Sequence, residues 1–352
     1  MMFGNPGSLH RIGQYAEKLF IDALNDISVL LRVSKDELVV TSGGTESINT
    51  ALLGFTAANP HNGKHIISTH TEHLATLATL ERLEKSGYEV TYIPVNRFGE
   101  PDLDFLERSI RNDTILITMT HTNNETGATL PADRVSAIRK RKNPRTAIHL
   151  DCVQTLGKEP INFRGWGIDL ASFSGHKIHC VKGVGLLFVR KGIRILPLVT
   201  GGGQQRGLRS GTESPWILHA FSLALRSAYE EMNDSLPKIV ECKRRLCDKI
   251  TSLGGVILSP QNASPYIVNA MLSSFESETL LHVLETFEIY ISTVSACTSK
   301  KKKRSHVLTA MGIDEKIAQN AVRFSFSRFT TTDEIDRLCS ALDQITKDYV
   351  LK

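Results

Sequence analysis

Three short stretches set reactive side chains at the ends of apolar runs. In "LASFSGHKIHC" (170–180) such a run gives way to Ser174, Gly175, His176 and Lys177. A partly buried lysine with a lowered pKa is an amine suited to Schiff-base chemistry, although most lysines are solvated loop residues. In "IHLDCVQTLG" (148–157) a second run closes on Asp151. Carboxylates at the C-terminal ends of parallel strands face the crevice in which open α/β sheets bind ligands, and an unpaired charge there demands a cation. Gln154, three residues on, can reach the same crevice; the plainer reading makes Asp151 a cap for the next turn. In "TSGGTES" (41–47) two glycines allow a tight turn, and Thr45 stands where a helix would begin. The backbone N–H groups at Gly44 and beyond, the helix dipole and the Thr45 hydroxyl suit an anion. An ordinary strand-to-helix turn capped by Thr45 would use the same residues.

Lys177 follows Asp151 by 26 positions, from 151 to 177. A carboxylate and a lysine on neighbouring strand ends are what pyridoxal phosphate needs: the amine condenses with its aldehyde, and the carboxylate keeps its ring nitrogen protonated. Ser174, His176 and the Gly44–Thr45 turn would then hold the phosphate. His73, in "HTEHLAT", could stack on the ring and move protons; a capping or surface histidine fits equally well without further context. Cys297 lies in "STVSACTSKKKKRSH", among small, polar and basic residues, and nearby lysines lower a thiol's pKa. The other five cysteines, at 152, 180, 242, 247 and 339, fall mostly in periodic segments and read as packing residues. Cys152 and Cys180 flank cofactor positions.

The elements that must position these groups follow from periodicity. Short apolar runs ("ELVVT", "HIIST", "EVTYIP", "TILITMT", "TAIHLD", "DLASFS", "GVGLLFV") occupy residues 37 to 189, and helix candidates begin near Thr45, Glu72, Asp102 and Ala132. That alternation predicts an α/β fold with a mostly parallel central sheet. The last two runs have no long helix between them, so a different pairing is expected there. After "GLRSGTESP" (207–215) a helical stretch runs from Trp216 towards Glu231. Strand-like "YIVNAMLS" and "IYISTVS" then alternate with helices. The expected division is a large domain over 1–232 and a smaller α/β domain over 233–352 that carries Cys297.

Composition bounds the function. The chain has 352 residues, 41% hydrophobic and 22% charged, with a net charge of +5. These values are ordinary for a soluble enzyme and argue against a dedicated nucleic-acid binder. No apolar segment approaches membrane-spanning length, and the first residues lack a signal core. Six cysteines without a CxxC pair point to a reducing compartment, so a cytoplasmic location is expected. The run Lys300–Arg304 reads first as a solvated basic loop. Beside Cys297 it could also steer an acidic acceptor or a tRNA.

Taken together, "TSGGTES", "TEH", "HTNNETG", "HLDCVQTLGK", "SFSGHKIHCVKGVG", "GGGQQRGLRSGT", "SACTS" and "VRFSFSRFTT" occur in an order that resembles the cysteine desulfurases. These enzymes have the class V aminotransferase fold, a fold type I pyridoxal-phosphate architecture. The "SACTS" form resembles the group that includes the nitrogen-fixation and iron–sulfur-cluster desulfurases. The resemblance implies that Lys177 carries the cofactor, Asp151 meets its ring nitrogen, Gln154 its phenolic oxygen and His73 its ring face. It implies that Gly44, Thr45, Ser174 and His176 bind phosphate, and that Thr212 reaches the phosphate of a second subunit, hence a homodimer with shared sites. Asn124 and Arg323 match groups near the substrate, Arg323 holding its carboxylate, for which a guanidinium fork is well shaped. The implied reaction converts L-cysteine to L-alanine and leaves a persulfide on Cys297, for transfer to a sulfur-acceptor protein such as an iron–sulfur scaffold or a tRNA-thiolation enzyme.

The chain departs from the family pattern in places. "HKIHCVKG" stands where "HKIYGPKG" is commoner, changing His179, Cys180 and Val181. "STVSACTS" replaces "SSGSACTS", changing Thr293 and Val294, and a stiffer approach would slow sulfur transfer. "MMFGNPGSLH" matches the family's "FGNPSSxH", without the first strand and turn that usually precede it. Two alternatives follow. One is a selenocysteine lyase or another class V lyase or aminotransferase; the other is an impaired pyridoxal-phosphate fold that serves as an interaction module.

Overall fold

In the computed structural model, which describes residues 3–293 and 305–350, the seven apolar runs are strands. β1 (Leu38–Thr41), β2 (His65–Thr69), β3 (Glu89–Ile93), β4 (Thr114–Thr120), β5 (Ala147–Asp151), β6 (Leu170–Ser174) and β7 (Gly185–Val189) form one sheet, in the order β1-β7-β6-β5-β4-β2-β3. Every residue of β2, β5, β6 and β7 is buried, so these strands read as unbroken apolar runs rather than alternating ones. Pairing is parallel except at β7, which runs antiparallel to both β1 and β6. Residues 175–184 are too few for a crossover helix, and a link that short can join only antiparallel strands.

The chain divides into two compact units. The first comprises Met1–Ile93, Leu103–His121 and Pro131–Glu230 and contains the seven-stranded sheet. Its helices are α1 (Arg11–Leu31), α2 (Gly44–Ala58), α3 (Leu74–Lys85), α4 (Leu103–Ser109), α5 (Ala132–Lys142) and the first part of α6 (Pro215–Ser252). In α2, Ile48, Leu52 and Phe55 share one face and bury against Val39, Leu116, Leu170 and Leu187 of the sheet. The second unit comprises Pro94–Asp102, Thr122–Leu130 and Glu231–Lys352. Its sheet is antiparallel, in the order β10 (Ser292–Thr293), β11 (Ala321–Ser325), β9 (Ile267–Met271) and β8 (Val256–Ile257). It packs on α10 (Thr332–Val350), where Val268, Ala270, Val322 and Phe324 meet Leu338, Leu342 and Ile345. Helices α7 (Ser277–Glu285), α8 (His306–Ala310) and α9 (Glu315–Gln319) lie between its strands in sequence. Among the described residues, no helix is long and apolar enough to cross a membrane.

β1 is an edge strand, and exposed edges invite unwanted pairing. Here the Gln205 side chain takes the place of a neighbouring strand. Its Nε2 donates to the Val40 carbonyl at 2.9 Å, and the Val40 N–H donates to its Oε1 at 2.6 Å. Arg206 donates to the Asp36 and Leu38 carbonyls beside it. The "GGGQQRGLRSGT" segment is thereby fastened along β1.

Gly185 opens β7 against the turn that follows β1. A Cβ there would lie 2.6 Å from the Gly43 carbonyl carbon and 2.7 Å from the Phe173 oxygen. Both neighbours are backbone and cannot yield cheaply. Gly185→Ala is therefore expected to cost about 1–3 kcal/mol, as overpacking typically does, and to lower Tm in thermal unfolding. An unchanged Tm would show that the turn is looser than this packing implies.

Candidate active site

The reactive side chains of the first unit gather where the parallel strands end. Asp151 is the last residue of β5 and only 5% exposed. Its Oδ1 accepts the Val153 N–H at 2.9 Å, so it does cap the turn that follows. Burial pushes its carboxyl up to about 6; the Val153 N–H and the positive charge of Lys177 pull the other way. Asp151 and Lys177 are thus coupled electrostatically.

Lys177 is half-buried in the single 3₁₀ turn Gly175–Ile178 that follows β6. Ser174 Oγ and His176 Nδ1 are hydrogen-bonded at 2.8 Å at the start of this turn. Gly175 must lack a side chain, because a Cβ would sit 2.9 Å from both Phe221 and Val184. The third loop arrives through Gly44, the first residue of α2. A Cβ at Gly44 would lie 2.9 Å from Val153 Cγ2 and 3.5 Å from Ser174 Cβ. The segments after β1 and β5 and the end of β6 therefore meet at one point, where Gly43 and Gly44 approach Ser174, and the exposed Thr45 follows Gly44 in the first turn of α2. Glu46 closes the first turn of α2, its carboxylate accepting the Ser42 N–H at 2.8 Å and Arg209 Nε at 3.0 Å.

Gln154 is buried, and its Oε1 accepts from Lys158 Nζ at 2.8 Å. His73 is exposed and caps α3, its Nδ1 accepting the Ala75 N–H at 3.1 Å. Thr212 is exposed in the segment before α6. In this unit, an anion would find Thr45, Ser174, His176 and the α2 amides, and a cationic ring nitrogen would find Asp151.

Two neighbours escaped the sequence reading. Glu72 is fully buried and accepts Thr69 Oγ1 and Thr120 Oγ1, both at 2.7 Å, from the ends of β2 and β4. Burial pushes it up to about 8; the two threonine hydroxyls oppose the shift and the charge of Asp151 adds to it. His121 stacks on Trp166 at 4.6 Å, bonds Thr155 Oγ1 at 2.9 Å and donates its backbone N–H to the Asp151 carbonyl. Burial lowers it to about 4, so it is neutral at physiological pH. Both lie within quoted motifs, "TEH" (71–73) and "HTNNETG" (121–127), and a titratable residue within three positions of the end of a buried strand was the available signal.

The second unit places Arg323 on β11, paired with Ser292 of β10 and Asn269 of β9. Its Nη1 donates to the Asn124 carbonyl at 3.0 Å and its Nη2 to Ser292 Oγ at 3.2 Å. Its buried Nε has no hydrogen-bond partner among the described residues. Asn124 therefore meets Arg323 through its main chain rather than its amide. Cys297, Val294 and the Lys300–Arg304 run lie outside the described residues. Of the cysteines within them, Cys152, Cys180, Cys242, Cys247 and Cys339 are free, and burial pushes each thiol up. None of these five is an activated thiolate.

Comparison with known proteins extends this picture. Residues 2–338 match the family model described as Aminotransferase class-V. The chain is 36% identical over 342 residues to "Cysteine desulfurase IscS 1" of Archaeoglobus fulgidus, covering 97% of this chain and 89% of that protein. It is 40% identical over 351 residues to "Cysteine desulfurase IscS" of Salmonella schwarzengrund, covering 98% and 85%. Among solved structures, a "NIFS-LIKE PROTEIN" superposes with a TM-score of 0.93 at 36% identity, over 98% of this chain and 92% of the other.

The buried acids give a pH dependence with a definite sign. Glu72 titrates at 4.5 ordinarily and at about 8 in the fold. Between these values the folded protein keeps a proton that the unfolded chain has lost, so stability falls as pH rises through that window. In urea unfolding at pH 5 and pH 8, Glu72→Gln should lose less stability than the unaltered protein, by on the order of a few kcal/mol. Equal losses would contradict the burial of a protonated Glu72.

Proposed function

We propose that this chain, which belongs to the aminotransferase class-V family, is a pyridoxal-phosphate-dependent cysteine desulfurase that converts L-cysteine to L-alanine. The observation that carries this reading is the buried Asp151 carboxyl coupled to Lys177 at adjoining strand ends. The donor set suits pyridoxal phosphate in three respects. Asp151 is a buried carboxyl that gains from a protonated ring nitrogen; Lys177 offers an amine; and Thr45, Ser174 and His176 converge with the Gly44 turn, which the close approach to Val153 keeps free of a side chain. When bound, the cofactor supplies an aldehyde for the amino group and a ring that accepts electrons.

The chain's own residues account for the rest. Asp151 holds the proton of the ring nitrogen. Lys177 and His73 move protons at the substrate carbons, as amine and imidazole can near neutral pH. Gln154 donates to the phenolic oxygen. Arg323, steadied by Asn124 and Ser292, holds the substrate carboxylate. Cys297, the one cysteine outside the five buried-shifted thiols, supplies the nucleophile. Its thiolate forms an S–S bond to the substrate sulfur as the C–S bond breaks. The electron pair of that bond stays with carbon, which takes up a proton to give alanine, and a persulfide remains on Cys297. The persulfide then serves an acceptor protein, with Lys300–Arg304 attracting an acidic one.

A homodimer belongs to this reading. Leu9 (92% exposed), Ile12 and Tyr15 near the start of α1, with Leu196, Leu198 and Trp216, leave large apolar side chains in water, which favours cover by a second copy. The exposed Thr212 is then available to the neighbouring subunit's phosphate.

The test is a paired spectrum and assay. Purified protein loaded with pyridoxal phosphate should be yellow and release alanine from L-cysteine. Lys177→Ala should lose both colour and turnover. Cys297→Ser should keep the colour while turnover drops by at least about 100-fold, the scale expected on removal of a nucleophile. A Cys297→Ser enzyme at full speed would exclude the persulfide route.

A further inference from the structure

We propose that Lys158 is a positioning residue that fixes the orientation of the Gln154 amide and so decides which end of it meets the cofactor. The proposal rests on the reading that this site binds pyridoxal phosphate with Gln154 at its phenolic oxygen. Lys158 Nζ lies 2.8 Å from Gln154 Oε1. An ammonium group only donates, so the amide must turn its oxygen towards Lys158 and keep its NH2 end for another partner. A flipped amide would set donor against donor. Gln154 is only 9% exposed, so water cannot readily repair that mismatch.

The turn is built to hold the pair. Leu156 N–H donates to the Cys152 carbonyl and Lys158 N–H to the Thr155 carbonyl, at 3.0 and 3.1 Å. Gly157 has φ +68°, and a Cβ there would lie 2.9 Å from both Ala228 Cβ and Ile178 Cγ2. The main chain before Lys158 is thus packed on the residue that follows Lys177. The consequence is chemical. A donor at the phenolic oxygen favours its ionised form, and the nitrogen linking Lys177 to the cofactor then releases its proton at lower pH. Lys158, acting through Gln154, lowers that midpoint. The titratable groups around the site include Asp151 and Cys152 at the end of β5, Glu159 in the Lys158 turn, Glu72 and His73 after β2, His121 after β4, His176, Cys180 and Lys182 about Lys177, and Tyr229 of α6; they are the same in every variant below.

The test is a pH titration of the visible absorbance of the cofactor-loaded protein. Lys158→Met should raise the midpoint by about one pH unit, the worth of one hydrogen bond, and Lys158→Arg, whose guanidinium also only donates, should restore it. Losing a positive charge could raise the midpoint by itself, so the deciding comparison is made with Gln154→Ala. In that background Lys158→Met should add no shift. Lys158→Gln, which lacks the donor-only ammonium, repeats the test should the methionine variant not fold. A Lys158→Met midpoint equal to that of the unaltered protein, or one shifted equally without Gln154, overturns the proposal alone. An unaltered protein that takes up no colour overturns the reading beneath it, and this proposal with it.

Discussion

A carboxyl buried at the end of a parallel strand is costly to ionise, and Asp151 is in that position. Its surroundings consist of a strand-end main chain, a second buried acid in Glu72 and a neutral His121, with Lys177 as the countering charge. Burial raises the carboxyl to about 6; a cationic ring nitrogen placed against it would favour the carboxylate further. The cofactor and the acid thus stabilise each other's charged form, while Glu72 and His121 stay neutral nearby. Two buried acids and a histidine that all bore charge would raise the cost of folding steeply.

Position depends on where side chains are absent. Gly44 lets α2 begin against Val153 and Ser174, Gly157 lets the Gln154 turn settle on Ile178, and Gly185 lets β7 start against Gly43. The three loops that bear Thr45, Asp151 and Lys177 therefore lock against one another without relying on the reactive groups. In the second unit the corresponding work is done by strand pairing, which sets Arg323 between Ser292 and Asn269.

Much of this was legible in the sequence because burial on both faces makes parallel strands read as apolar runs, and because strand ends are where such sheets bind ligands. The antiparallel β7 followed from the shortness of the link before it. Other features were not legible. Nothing in "QQRG" announces that Gln205 will pair with the edge of β1, since that requires knowing which strand is at the edge. Asn124 was expected near the substrate; it meets Arg323 through its main-chain carbonyl, a contact any residue type could make. Segments 94–102 and 122–130 group with the second unit without any shift in composition. Glu72 looked like a helix-start acid; only the closeness of Thr69 and Thr120 shows it as a buried one.

The central claim is that the Asp151–Lys177 crevice mobilises sulfur and that Cys297 receives it. Mass spectrometry of the cofactor-loaded protein after brief exposure to L-cysteine tests this most directly. The account predicts one added sulfur atom on the peptide containing Cys297, and none in Lys177→Ala. Sulfur found instead on Cys152 or Cys180, or equally on Cys297 without Lys177, would contradict it.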